Sequence, residues 1–182
     1  TDLVKNSDVV IHLAGITDVA YVKSENAQNE DEIKTVGETG TRNIINALLP
    51  EAKLIFPSTH VVFEGFNEIK EELSEDEEPN PVLTYSVNKR NTEIDIINSN
   101  KQFIILRLGS VYGYSTDTMR IGIMPNLFSK IASQNGTIKL FGGGVQLKSL
   151  VNIKDVARCF KFIEENKFTN EIYHLRRENP NV

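Results

Sequence analysis

The sequence predicts an α/β fold, a doubly wound parallel sheet with a smaller mixed α/β subdomain, and three observations carry that expectation. Short unbroken apolar runs end abruptly at small or hydroxyl residues: Val9 to Ala14 before Gly15, Leu54 to Pro57 before Ser58-Thr59, and Phe103 to Leu108 before Gly109. Strands buried on both faces read this way, whereas half-exposed strands alternate. Stretches with apolar residues at helical spacing separate the runs, so the order reads β, α, β, α, β, the pattern of a sheet with helices on both faces.

The elements follow in order. After the first strand, Ile33, Val36, Ile44, Ile45, Ala47 and Leu48 predict a helix from about Asp31 to Leu49, closed by Pro50 and weakened locally by Gly37 and Gly40. Lys53 to Thr59 is the second strand. The seven carboxylates between Glu68 and Glu78 read as a solvated surface loop rather than a metal site. Pro79-Asn-Pro81 then gives a rigid entry to a helix from Leu83 to Asn98, on which Tyr85, Lys89, Thr92 and Ile96 share one face while Ile94 and Ile97 widen its apolar side. Beyond the third strand a helix over Met124 to Ser133, a strand over Thr137 to Phe141 and a turn at Gly142-Gly-Gly144 are expected. Asn152 caps a helix running to about Glu165, with Asp155 as its capping-box partner, and Glu171 to Leu175 is a last strand.

Composition narrows the function classes. A chain of 182 residues, 40% hydrophobic and 25% charged, has the balance of an ordinary globular protein. A net charge of -5 offers no general attraction to nucleic acid or anionic lipid. No apolar run approaches the roughly 20 residues of a membrane span. One cysteine, Cys159, can form neither an internal disulfide nor a thiolate metal cluster; a packed thiol and a cytoplasmic setting are expected. The three histidines are scattered: His12 and His174 read as packed in strands, and His60 as either a pocket residue or strand packing.

In open α/β sheets ligands lie at the carboxyl ends of the strands. Those ends carry Gly15, Ser58-Thr59 and Gly109-Ser110, and Tyr85 and Lys89 start the helix that follows the second strand. Spaced i, i+4, these two side chains share a face. A tyrosine of pKa near 10 is a poor base at neutral pH, and a neighbouring ammonium stabilises its phenolate. Lys89 can supply that charge, and the Thr59 hydroxyl can hold a substrate oxygen while Tyr85 takes or returns its proton. On spacing alone, a packed Tyr85 beside a snorkelling Lys89 explains the pair as well.

Ordered motifs add to this. His12-Leu-Ala-Gly15, Gly40-Thr-Arg-Asn43, Ser58-Thr59 with Val62-Phe63, Tyr85-Ser-Val-Asn-Lys89 followed by Glu93, Arg107-Leu-Gly-Ser-Val-Tyr-Gly113, and Phe141-Gly-Gly-Gly-Val-Gln-Leu-Lys148 with Val151-Asn-Ile-Lys-Asp-Val-Ala157 run through nearly the whole chain. The sequence resembles the extended short-chain dehydrogenase/reductase family, the NAD-dependent sugar-nucleotide epimerases, dehydratases and reductases. The resemblance implies a Rossmann-like fold, with residues 1–112 as the C-terminal half of a dinucleotide-binding domain. Residues 113–182 would be mainly a substrate-binding subdomain with returning Rossmann segments. It implies Thr59, Tyr85 and Lys89 as the catalytic trio, with Lys89 also holding the nicotinamide ribose. Ala14 and Gly15 would face the dinucleotide, Leu108 and Gly109 would lie near the nicotinamide, and Ser110, Phe141 and Lys148 would contact a nucleotide-sugar substrate. The implied cofactor is NAD, with NADP still open, and the implied assembly is a homodimer through the helices at 31–49 and 83–98.

Departures refine the expectation. No G-x-x-G-x-x-G follows any strand, and the first run matches the family's fourth strand, so the chain is expected to be an internal piece of a longer enzyme, incomplete at its N-terminus. His60-Val61 stands where 4,6-dehydratases of the family carry Asp-Glu, which disfavours dehydration. Gly37 and Ser110 stand where many members have asparagine, and Lys148 replaces an arginine, losing its bidentate fork. Epimerisation by transient oxidation of a sugar hydroxyl is the leading reading. Ser58-Thr-His-Val-Val-Phe-Glu-Gly65, similar to the S-T-D-Y-V-F-D-G of 4-keto sugar reductases, keeps a reductase as the alternative, beside a non-catalytic nucleotide-sugar-binding relative.

Overall fold

The computed structural model describes residues 2–16, 27–68, 70, 72–117, 119–144 and 147–177. Strands β1 (Val9–Ile11), β2 (Lys53–Thr59), β3 (Gln102–Leu108) and β6 (Glu171–Leu175) form a parallel sheet in the order β1-β2-β3-β6. A second, two-stranded parallel sheet joins β4 (Ser110–Tyr112) to β5 (Leu150–Asn152). The helices are α1 (Ala27–Lys34), α2 (Gly40–Ala47), α3 (Thr84–Ile97), α4 (Met124–Ser133) and α5 (Ile153–Glu165).

β2 and β3 are buried on both faces, as their unbroken apolar runs predict. Alternation along them sorts the core into two. Leu54, Phe56, Phe103 and Ile105 pack with Ile45, Leu48 and Ile96 of the α2 and α3 side, and Ile55, Ile104 and Leu106 pack with Ile163 and the half-buried Cys159 and Phe160 of α5. The sheet is thus covered on both sides, the doubly wound arrangement. Two lysines fasten the covers by occupying the carbonyls at helix C-termini, where a cation is favoured. Lys53 at the start of β2 donates to the Ile163 and Asn166 carbonyls at 3.1 and 2.8 Å, and Lys101 before β3 donates to the Leu48 carbonyl at 2.6 Å.

Four expectations are corrected. β1 is not buried on both faces: it lies at one edge of the described sheet, so Ile11 is 39% and the following Leu13 68% exposed. The helix expected from Asp31 to Leu49 begins at Ala27, ends at Ala47, and carries a π-turn over Thr35–Thr39 where Gly37 sits. No strand forms over Thr137–Phe141; the chain enters a 3₁₀ turn at Phe141–Gly144, with Gly143 at φ 75° and Gly144 at φ 73° bending it away from any neighbour. Asn152 does cap α5, accepting from the Lys154 amide at 2.9 Å, but Asp155 faces Arg158 and Arg177 at 3.0 and 3.5 Å instead of closing a capping box.

The acidic loop is tied down rather than merely solvated. Its Leu73 carbonyl accepts from His174 Nδ1 at 3.2 Å, Glu75 accepts the His174 amide at 2.9 Å, and the Glu75 carbonyl accepts from Arg107 at 3.2 Å. Arg107 belongs to a buried ion-pair network. Its Nε and Nη2 donate to both oxygens of Glu93 at 3.2 and 3.0 Å, and Glu93 also accepts from Ser58 at 2.5 Å and Arg90 at 3.2 Å. Glu93 is 0% and Arg107 2% exposed, so the charges are compensated only by one another and by these hydrogen bonds. Arg107→Met leaves the Glu93 carboxylate buried without its bidentate partner and should cost about 3–5 kcal/mol of unfolding free energy in urea titrations; a loss below about 1 kcal/mol would equate the network with a surface pair.

Candidate active site

The carboxyl ends of β2 and β3 meet in register, with Thr59 opposite Leu108. After Thr59 the chain turns into a 3₁₀ segment, His60–Phe63, begun by the Thr59 hydroxyl accepting the Val61 amide at 3.3 Å. Glu64 follows, and its carboxylate takes the Val82 amide at 3.1 Å, the Leu83 amide at 2.7 Å and the Ser86 hydroxyl. An anion placed there satisfies amides that a helix N-terminus otherwise leaves open. It also fixes the first turn of α3, the turn that carries Tyr85, beside the end of β2.

The Thr59 hydroxyl lies near enough to the Tyr85 phenol to favour its ionised form. Burial pushes the Tyr85 phenol above its ordinary pKa, while the Arg120 guanidinium and the Thr59 hydroxyl oppose that rise. One turn on, the Lys89 ammonium donates to the Pro57 carbonyl at 2.9 Å and lies 4.4 Å from the centre of the Phe56 ring. Burial lowers its pKa to about 8, with Glu93 opposing the drop. The long Lys89 stem therefore runs along β2, and the cation whose field reaches Tyr85 in this state is Arg120, from a stretch with no sequence pattern to single it out. The Arg120 carbonyl is held by Asn126 at 3.0 Å, and Asn126 also accepts the Gly113 amide at 3.3 Å, which pins the loop before α4.

Ala14 and Gly15 lie exposed beyond the end of β1, one strand further across the sheet, and a Cβ at Gly15 would meet nothing within 4 Å. Leu108 is half-buried at the end of β3. Gly109 allows the two sheets to close on one another: a Cβ there would stand 3.0 Å from the Ser149 backbone, and its amide donates to the Leu175 carbonyl at 3.0 Å. Ser110 donates its amide to the Ser149 carbonyl at 2.7 Å, which brings Ser110 next to the Lys148-Ser149 segment. Lys148 is exposed, with its charge felt by His60. The Phe141 side chain lies outside the described residues.

His12 is packed, its ring 5.8 Å from that of Phe56 and its Nε2 2.9 Å from the Thr41 hydroxyl. Burial, then the Lys89 charge, lowers its pKa. Asn88 is a site neighbour that the sequence reading passed over. Its buried amide reaches over the π-turn, where a Cβ at Gly37 would meet Oδ1 of Asn88 at 2.0 Å. A glycine at 37 and an asparagine at 88 are thus complementary halves of one contact.

Solved structures with the same fold include the UDP-glucuronic acid 4-epimerase of Bacillus cereus in complex with UDP-glucuronic acid and NAD, at 25% identity and a TM-score of 0.80, covering 98% of this chain and 56% of that one. The UDP-glucose 4-epimerase of Thermotoga maritima, solved with UDP-glucose, is 22% identical with a TM-score of 0.77, covering 93% and 55%. The dTDP-glucose 4,6-dehydratase of Bacillus anthracis, in complex with NAD, is 16% identical with a TM-score of 0.76, covering 94% and 52%. The chain therefore spans little more than half the length of these structures. No curated protein matches it. The profile of the NAD dependent epimerase/dehydratase family matches residues 1–175, which takes in both sheets and every residue of the candidate site, and the chain belongs to that family.

Proposed function

We propose that this chain carries the catalytic centre of a sugar-nucleotide epimerase, with Thr59, Tyr85 and Lys89 as its working groups. The observation that carries the reading is the convergence of Thr59, at the carboxyl end of β2, with Tyr85 in the first turn of α3, one turn from a buried lysine whose pKa is about 8. The epimerases among the similar structures, solved with UDP-sugars, support this choice of reaction over dehydration. His60-Val61 after Thr59 supports it too, since neither side chain is a carboxylate.

Tyr85 moves the proton of the sugar hydroxyl. Its phenol is neutral at rest, held so by burial, and becomes a base as positive charge and hydrogen bonds gather around its oxygen. Thr59 orients that oxygen and the substrate hydroxyl together. Lys89 provides a buried cation for the ribose of the dinucleotide, and Ala14, Gly15, Leu108 and Gly109 form the remainder of its contact surface. The open, small-residue end of β1 fits that role, as a side chain at Gly15 would have free space around it. NAD bound there would supply the reversible hydride acceptance that oxidation of the sugar hydroxyl requires. Ser110, Lys148 and Phe141 are assigned to the nucleotide sugar, Lys148 as the cation for its diphosphate. The same reading places the enzyme in the cytoplasm as a homodimer through the helices at 31–49 and 83–98, where Val36 of the π-turn and Ile94 and Ile97 of α3 are exposed.

Tyr85→Phe keeps the ring and removes the proton carrier; turnover of UDP-sugars followed by proton NMR should fall about 10²–10⁴-fold while calorimetric binding of the nucleotide sugar holds. Undiminished turnover would overturn the mechanism. The lysine sets the pH dependence. With a pKa of about 8, Lys89 is charged below that value and neutral above it, so a step that needs the ammonium fades as pH rises through about 8. In Lys89→Arg the cation persists through this range, and the alkaline limb of the rate profile should move upward or vanish. Sedimentation should give twice the chain mass, and Ile94→Lys with Ile97→Lys should return it to the monomer.

A further inference from the structure

A cleft of about 70 Å³ opens beside the candidate site, at the carboxyl ends of three neighbouring strands. His60 follows β2, Gly109 follows β3, and His174 and Arg176 come from the end of β6. Its wall also holds Lys70, Arg107 and Ser149, and none of its nine lining residues is acidic. We infer that this cleft is an oxyanion pocket, taking a carboxylate or phosphate group beside Lys70 and Arg176, with the Glu93-paired Arg107 behind them and His60 and His174 completing its donors. A water needs on the order of 10–15 Å³, so the space suits a group of a few heavy atoms and not a sugar ring.

The two histidines give the pocket its particular chemistry. His60 Nδ1 lies 3.0 Å from the Leu108 carbonyl and His174 Nδ1 3.2 Å from the Leu73 carbonyl. A carbonyl only accepts, so each ring carries a proton on Nδ1, and in a neutral ring Nε2 is bare. His174 Nε2 is buried with no hydrogen-bond partner, an uncommon state for a polar atom. Burial and the cations around them keep both rings neutral: Arg107 and Arg176 act on His174, and Lys148 on His60. Glu75 and the Leu73 carbonyl oppose this at His174, as the Leu108 carbonyl and Glu64 do at His60. The Glu75 carboxylate is turned to the His174 amide, and Lys70 is paired with Glu77 at the rim. An arriving anion offsets the surrounding cations, so Nε2 of His174 takes up a proton from solvent and donates it to the anion. Binding therefore brings in a proton and tightens as pH falls. Imidazoles anchored through Nδ1 also suit a metal, but no set of three His, Cys, Asp or Glu among the described residues is placed to hold one.

The pocket stands independently of the epimerase reading, and its test reads binding rather than turnover. Inorganic phosphate is titrated into the intact protein by calorimetry, in buffers of different ionisation heat. Millimolar or tighter binding with net proton uptake near neutral pH is expected. Arg176→Ala, at an exposed position, should weaken it about tenfold, and His174→Gln should bind with less proton uptake. Absence of binding, or binding that both variants leave unchanged, overturns the pocket. Competition separates the sources of the anion. Displacement of phosphate by UDP-glucuronic acid and not by UDP-glucose supports a carboxylate borne by the sugar, and displacement by neither supports a free ion. Equal displacement by both puts the phosphate in a diphosphate subsite and overturns the proposal.

Discussion

A single buried carboxylate, that of Glu93, is the constraint around which the candidate site is assembled. A charge with no access to water must be surrounded by hydrogen bonds and opposite charge, and here these come from β2 through Ser58, from β3 through Arg107 and from its own helix through Arg90. Each partner is next to a residue of the candidate site. Ser58 precedes Thr59, Arg107 precedes Leu108 and Gly109, and Glu93 lies one turn beyond Lys89 on the face that turns toward the sheet. Satisfying Glu93 thus sets the rotation of α3, and the rotation of α3 sets where Tyr85 points. Arg107 carries the same constraint outward, since its bond to the Glu75 carbonyl fastens the acidic loop over the ends of β3 and β6.

The protein interior around the trio is dry enough that few charges determine the behaviour of many groups. Lys89 sits between a carbonyl and an aromatic ring, both weak partners for an ammonium, with Glu93 as anionic support. Electrostatic interactions are stronger there than in water. Burial lowers the pKa of His12, with the Lys89 charge adding to the drop, and burial likewise loosens the hold of Lys89 on its own proton. The arrangement places a titrating cation one helical turn from a reluctant acid, without any metal-ligating cluster among the described residues.

Much of this was legible in the sequence, for local reasons. Strands β2 and β3 announce themselves because a strand buried on both faces has no choice but to be apolar throughout, and the i, i+4 spacing of Tyr85 and Lys89 follows from helical geometry. The features that escaped are those made by distant contacts. Nothing near Leu73 or Glu75 foretells His174, about a hundred residues away, so the loop reads as solvated. Arg120 reaches Tyr85 only through the fold. The strand expected over Thr137–Phe141 has suitable residues, but a strand needs a neighbour, and the glycines that follow lead the chain elsewhere. β1 carries the composition of an interior strand yet lies at an edge of the described sheet, which composition alone does not report.

The contact between Gly37 and Asn88 bears on how such a site can change over time. The space between the π-turn and α3 is one amide wide, and Asn88 fills it from the α3 side. A chain that filled it from the opposite side, with a side chain at 37, would have to shrink residue 88 at the same step. Either change alone leaves a collision or a void at a buried position on α3. The two positions, 51 residues apart, therefore behave as one heritable character, and the path between the two solutions passes through an intermediate less stable than either end.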